Sequence, residues 1–204
     1  MTRVKLYYIY DPMCSWCWGY KPTWQKIESA IEGFVDIQYL VGGLAPDSDQ
    51  PMPIDMQQQI ASYWKRIEDY LGTEFNYDFW SNNTPRRSTY PSCRAALAAR
   101  KQGKEKEMIE GIQHAYYLEA KNPSDNMVLF DVAREIGLTM KTFEEHYHST
   151  RLDSEFQEEM KFVRRIGGNS FPSLFLETEK GIVELPINYQ DANETLVQIQ
   201  SLLK

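Results

Sequence analysis

The hydrophobic period changes twice along this chain, and that order of periods limits the fold more than any other feature. Val4-Lys5-Leu6-Tyr7-Tyr8-Ile9-Tyr10 is a strand-like run of β-branched and aromatic residues. Asp11-Pro12 ends it, because proline offers no amide to a central ladder. Trp18, Trp24, Ile27 and Ile31 then recur at near-helical spacing, which predicts a helix from about Ser15 to Ile31, with Gly33 just past its end. Val35 to Val41 alternates apolar and polar before Gly42-Gly43. Two strands joined by a crossover helix form a parallel, right-handed unit. From about Pro53 to Gly167 the period is helical, with segments at 54–71, 91–102, 104–120, 124–136, 139–148 and 152–166. The stretch 75–90 is the least regular, with a turn at Asn82-Asn83-Thr84-Pro85. Strand character returns in Ser173 to Glu177 and Gly181 to Leu185, a hairpin pattern, and Asp191 to Leu203 closes the chain as a helix. The expected class is α/β, with the order β-α-β, a large all-helical block, then β-β-α.

At the first strand–helix junction stands Cys14-Ser15-Trp16-Cys17. Two cysteines three apart at a helix start lie about one turn from each other, close enough to join with little rearrangement. The first faces the positive end of the helix dipole and amides without helical partners, which favour a thiolate. This is the pattern of redox chemistry, with Cys14 as nucleophile and Cys17, one turn deeper, as the thiol that resolves a mixed disulfide. Asp11, three residues earlier, reads as a solvated turn residue whose charge opposes a thiolate; buried, it would serve Cys17 as a proton relay. Cys93, within Ser92-Cys93-Arg94-Ala95-Ala96-Leu97, reads as a small buried hydrophobe on a helix. Trp16, Trp18 and Tyr20 are candidates for an apolar rim, although such residues are more often core.

Composition narrows the partners. The 204 residues carry a net charge of −7, which argues against nonspecific nucleic-acid or anionic-membrane binding, since both need basic clusters. Arg86-Arg87 and Arg164-Arg165 are the local exceptions, and both read as solvated surface. No apolar run approaches the roughly 18 residues of a membrane span. The first apolar run leads straight into the cysteine pair, so the start reads as mature and the expected location is the cytoplasm. Three cysteines do not make a disulfide scaffold. Zinc is the competing use of the pair, with Cys93 or His114 as further ligands. No second pair with metal spacing exists, and His146-x-His148 is too short for one. No metal or cofactor is therefore expected.

Together these features resemble the DsbA-like thioredoxin family. The likeness is nearest to its cytoplasmic protein-disulfide isomerase branch, close to FrnE and 2-hydroxychromene-2-carboxylate isomerase. It rests on Tyr8-Ile9-Tyr10-Asp11-Pro12-Met13-Cys14-Ser15-Trp16-Cys17-Trp18-Gly19, Gly42-Gly43-Leu44-Ala45-Pro46, Arg86-Arg87-Ser88-Thr89-Tyr90-Pro91 and Ser170-Phe171-Pro172-Ser173-Leu174. The resemblance implies a thioredoxin domain over 1–45 and 165–204, interrupted by a helical insertion over 46–164. It implies thiol–disulfide exchange by Cys14 and Cys17, with Ser15, Trp16, Phe171 and Pro172 at the substrate. A cis bond before Pro172 would turn the Phe171 backbone toward the cysteines. Substrates would be disulfide-containing proteins or small thiols, with glutathione as a redox partner. DsbA carries Pro-His between its cysteines, whereas Ser15-Trp16 brings no charge. Without that charge the disulfide is stabilised relative to the dithiol, so a less oxidising couple is expected. The kappa-class relatives suggest an alternative, a glutathione-dependent isomerase or transferase using Ser15 and the 86–89 stretch.

Overall fold

The computed structural model describes residues 4–203. The first unit is β1 (Val4–Tyr10), α1 (Ser15–Ile31) and β2 (Val35–Val41). A run of helices follows: α2 (Ile54–Leu71), α3 (Phe79–Asn82), α4 (Tyr90–Arg100), α5 (Glu105–Tyr117), α6 (Asn126–Glu135), α7 (Met140–Tyr147) and α8 (Thr150–Arg165). The chain closes with β3 (Ser173–Thr178), β4 (Gly181–Leu185) and α9 (Ala192–Leu202). The strands form one sheet in the order β2-β1-β3-β4. β1 runs parallel to β2, with Tyr8 opposite Tyr39, and antiparallel to β3, with Tyr8 opposite Leu174.

β1 is apolar on both faces because both are covered. Leu6, Tyr8 and Tyr10 face the main core, with Trp24, Ile27 and Ile31 of α1 and Ile199 of α9. Tyr8 stacks on Trp24 with ring centres 4.3 Å apart. Tyr7 and Ile9 point the other way, into a smaller core with Leu40, Phe175 and Val163 of α8. A separate aromatic cluster joins Trp64 of α2 to Phe75, Phe79, Tyr116 and Tyr117, and Met13 ties it to the cysteine loop.

A half-buried ion cluster fixes the carboxyl end of the sheet, where the cysteines sit. Arg100 donates to Glu105 at 2.7 Å, to Glu159 at 2.6 Å and to the Tyr39 carbonyl at 2.9 Å. Glu159 also accepts from the Val41 amide at 2.6 Å, and Glu105 from the Tyr10 hydroxyl at 2.8 Å. The ends of β1 and β2 are thereby tied to α4, α5 and α8 by charge-assisted bonds.

Element ends differ from the sequence reading where a side chain or an unusual dihedral intervenes. α8 begins at Thr150 rather than 152 because Ser149 caps it, its hydroxyl accepting from the Leu152 amide at 3.1 Å. α5 stops at Tyr117, short of 120, since Ala120 turns to φ +56° and the Lys121 amide bonds back to Ala115 at 2.9 Å. α3 lies in the stretch that reads as irregular, launched by the Asn76 side chain accepting from the Asp78 amide at 3.0 Å.

Candidate active site

Asp11 is the junction from which the site is built. Its side chain is fully buried, so the solvated-turn reading is wrong. One carboxylate oxygen accepts from the Met13 amide at 2.8 Å. The other accepts from the Leu44 amide at 2.8 Å, the Thr89 hydroxyl at 2.7 Å and the Cys93 thiol at 3.5 Å. Three loops, those after β1 and β2 and the one before α4, therefore converge on one carboxyl group. Burial holds it above the usual carboxylate range, while the bonds from Thr89, Leu44, Met13 and Cys93 pull it back. Cys93 is buried on α4, as expected, but it is a hydrogen-bonding member of this cluster rather than plain packing. Burial, and then the neighbouring Asp11 charge, push its thiol well up.

The two cysteines differ in their surroundings. Cys14 occupies the N-cap of α1 with extended backbone, and its carbonyl accepts the first helical bond from the Trp18 amide at 3.1 Å. Cys17 lies beneath it with 1% of its surface exposed. Cys14 and Cys17 are close neighbours. Burial pushes the Cys17 thiol well up, and the neighbouring Cys14 sulfur, toward which the Cys17 S–H is directed, adds to the rise. Cys17 is thus held as a neutral thiol behind Cys14. Cys17 also borders a small cavity of about 60 Å³ with Tyr8 and Trp24.

Opposite the cysteines, the Phe171–Pro172 peptide bond is cis. The Cys14 thiol donates to the Phe171 carbonyl at 3.4 Å. Gly42 supports this loop from below: a Cβ there would lie 2.1 Å from a ring carbon of Phe171, so only glycine lets the ring sit where it does. Arg164 clasps the same place. It donates to the carbonyls of Gly168 at 2.7 Å and Gly42 at 2.8 Å, with its guanidinium 5.4 Å from the Phe171 ring centre. Arg164 is exposed, as the surface reading has it, but its head group is held by these carbonyls; Arg86 is half-buried and pairs with Asp125, so the solvated-surface reading fails there.

A cavity of about 340 Å³ opens beside Cys14. Ser15, Trp16 and Phe171, all singled out from sequence, line it. Its far wall is α2, with Met56, Ile60 and Tyr63, and its remaining side is Arg87 and Tyr116. Pro172 is buried behind the wall. Of the aromatic rim, only Trp16 faces the cavity: Trp18 stacks on Tyr117 at 5.6 Å, and Tyr20 is fully buried against Tyr189. His114 lies beside Glu119 at 3.4 Å rather than with the cysteines. Sequence reasoning missed the α2 wall and Tyr116 as site residues. It gave Arg87 and Thr89 a role only in the glutathione-dependent alternative, through the 86–89 stretch, and otherwise read Arg87 as surface.

The thioredoxin family model matches residues 7–194. This chain belongs to the thioredoxin family. Among solved thioredoxin folds, a Nitrosomonas europaea protein provisionally named a protein disulfide isomerase superposes with a TM-score of 0.87 at 23% identity, covering 99% of this chain and 98% of that one. The cytosolic disulfide reductase DsbM from Pseudomonas aeruginosa superposes at 0.80 with 24% identity over 98% of this chain and 100% of that one, and has also been solved with GSH. In sequence, the thioredoxin-family chain is 23% identical over 180 residues to the ClpXP adapter protein SpxH of Bacillus subtilis, covering 86% of this chain and 59% of that protein. The chain thus spans about three-fifths of the length of the curated relatives it matches. No helix among the described residues is long and apolar enough to cross a membrane.

Proposed function

We propose that this chain is a thiol–disulfide oxidoreductase of the disulfide reductase or isomerase type, working through Cys14 and Cys17 in a reducing compartment. Cys14 attacks one sulfur of a substrate disulfide. The substrate S–S bond breaks, one substrate thiolate leaves and takes a proton, and a mixed disulfide to Cys14 forms. Cys17 then gives its proton to solvent and attacks the Cys14 sulfur, releasing the second substrate thiol and closing a Cys14–Cys17 disulfide. Two electrons have passed to the substrate, and a thiol reductant such as glutathione returns them. The observation that carries this reading is the arrangement of the pair: Cys14, itself only 6% exposed, lines a cavity large enough for a small ligand, and Cys17, 1% exposed, lies close behind it. Ser15, Trp16 and the Phe171–Pro172 loop hold the substrate in that cavity, and the reductant can be a small thiol.

Replacing Cys17 with serine and mixing with a disulfide under mild oxidation should leave an adduct on Cys14 alone, read by mass spectrometry of peptides. An adduct on Cys93, or none, would overturn the assignment. A second reading, a glutathione-dependent isomerase or transferase, draws support from the likeness to DsbM, which was solved with GSH, and from Ser15 facing the cavity. A Cys14→Ala, Cys17→Ala double variant separates the two, because glutathione conjugation would persist only under the second.

A further inference from the structure

Arg87 is the one charged side chain lining the cavity beside Cys14 among the described residues, and no carboxylate lines it. Its guanidinium is half-buried and has no ion-pair or hydrogen-bond partner among the described residues, whereas the adjacent Arg86 is tied to Asp125. The backbone that presents it is nonetheless fixed on both sides, beginning with the Pro85 carbonyl, which accepts from the Met52 amide at 2.7 Å. The Ser88 hydroxyl accepts from the Ser48 amide at 3.2 Å, and the Ser88 carbonyl accepts from the Ser124 hydroxyl at 2.7 Å. Thr89 is bonded to Asp11, which also accepts from Met13 next to Cys14. One buried carboxyl group thus links the segment that carries Arg87 to the loop before Cys14.

We infer that Arg87 is the specificity-determining residue of this cavity, and that it selects small disulfides and thiols of the glutathione type by pairing with a substrate carboxylate. The inference rests on the exchange reading above and narrows its substrate class. A guanidinium presents a planar fork matched to a carboxylate, and walls of Trp16, Met56 and Ile60 strengthen the pairing by excluding water. The molecule as a whole, at a net charge of −7, repels an anionic substrate. A local cation at the sulfur is what an acidic thiol needs, and a cationic disulfide gains nothing from it.

The test compares wild type, Arg87→Gln, Arg87→Lys and Arg87→Glu on three small disulfides: oxidised glutathione, neutral hydroxyethyl disulfide and cationic cystamine. In Arg87→Gln the ratio of kcat/KM for oxidised glutathione to that for hydroxyethyl disulfide should fall about tenfold, mostly through KM. Arg87→Lys should recover part of the ratio, and Arg87→Glu should move the preference toward cystamine. An unchanged ratio overturns the inference, since it would show Arg87 acting on folding or on the thiols and not on the substrate. Calorimetric binding of S-methylglutathione, which cannot exchange, gives an independent reading. If no disulfide is turned over, the exchange reading fails, yet a roughly tenfold weaker Kd in Arg87→Gln would still support carboxylate recognition, and an equal Kd would refute it.

Discussion

Replacing Asp11 by asparagine should destabilise the protein most in acid and progressively less as the pH rises. Asn keeps one acceptor oxygen but turns the other into an NH₂ donor. In either orientation that NH₂ meets a backbone amide, that of Met13 or that of Leu44, each now 2.8 Å from a carboxylate oxygen. One backbone donor is therefore stranded, at a cost of about 2 kcal/mol. A protonated Asp11 avoids the conflict, because its O–H can face Thr89, whose own hydroxyl can turn to the Ala45 carbonyl at 3.4 Å. The folded-state pKa of Asp11 is raised by burial. The unfolded chain therefore ionises first, and wild-type stability falls as pH climbs from the unfolded pKa to the folded one. Each unit of that gap costs about 1.4 kcal/mol. Asn does not titrate, so its deficit of about 2 kcal/mol at the acid end should shrink, or reverse, toward neutral pH. Urea unfolding of both proteins from pH 4 to pH 8 measures it directly. A deficit that grows with pH would refute the reasoning, since it would mean that the donors around Asp11 outweigh its burial and hold the pKa below the unfolded value.

Arg164→Ala should cost about 2 kcal/mol, from two charge-assisted bonds to Gly168 and Gly42 discounted for partial exposure, and Arg164→Lys should restore less than half. A shift in urea midpoint equivalent to under 0.5 kcal/mol for Ala, on the scale of ordinary surface substitutions, would contradict this. Gly42→Ala should displace the Phe171 ring and cost about 1–3 kcal/mol by overpacking, while altering the chemical environment of the Cys14 region in NMR spectra; unperturbed spectra would show that the ring is not held as described. In a Cys14→Ser variant, the two remaining thiols are both buried and both raised, so ultraviolet thiolate absorbance should stay flat up to pH 9. A titration step near neutrality would disprove the burial argument for Cys17.

The architecture was readable from sequence because each layer carries its own period. β1 is apolar at consecutive positions because two cores claim alternate residues, and α1 turns Trp24, Ile27 and Ile31 toward only one of them. The cysteines were readable for a related reason: a three-residue spacing at a helix start has few other chemical uses. Ser15, Trp16 and Phe171 border one cavity because two loops that flank β1 and β3 meet at the same end of the sheet. What escaped was every residue whose role depends on a distant partner. Asp11-Pro12 has the local signature of an exposed turn, and nothing nearby announces that Thr89, 78 positions away, will donate to it. Arg164 looks like an exposed charge near a helix end until Gly42, 122 positions earlier, offers its carbonyl.

These misses share a direction that bears on mechanism. Each was a charged residue read as solvated and found anchoring a loop of the site: Asp11 the loop before Cys14, Arg164 the loop carrying Phe171, Arg86 the segment next to Arg87. Where loops rather than helices line the cavity, no continuous helix or strand holds them, so their geometry has to come from tertiary bonds. Charged groups suit that task because a single carboxylate or guanidinium reaches several backbone groups at once. Arg87 breaks the pattern: its backbone is fixed like the others, but its charge is left unspent. In a site where Asp11, Arg86 and Arg164 are each engaged by the fold, an unpaired guanidinium facing the cavity is the group still free to recognise a substrate.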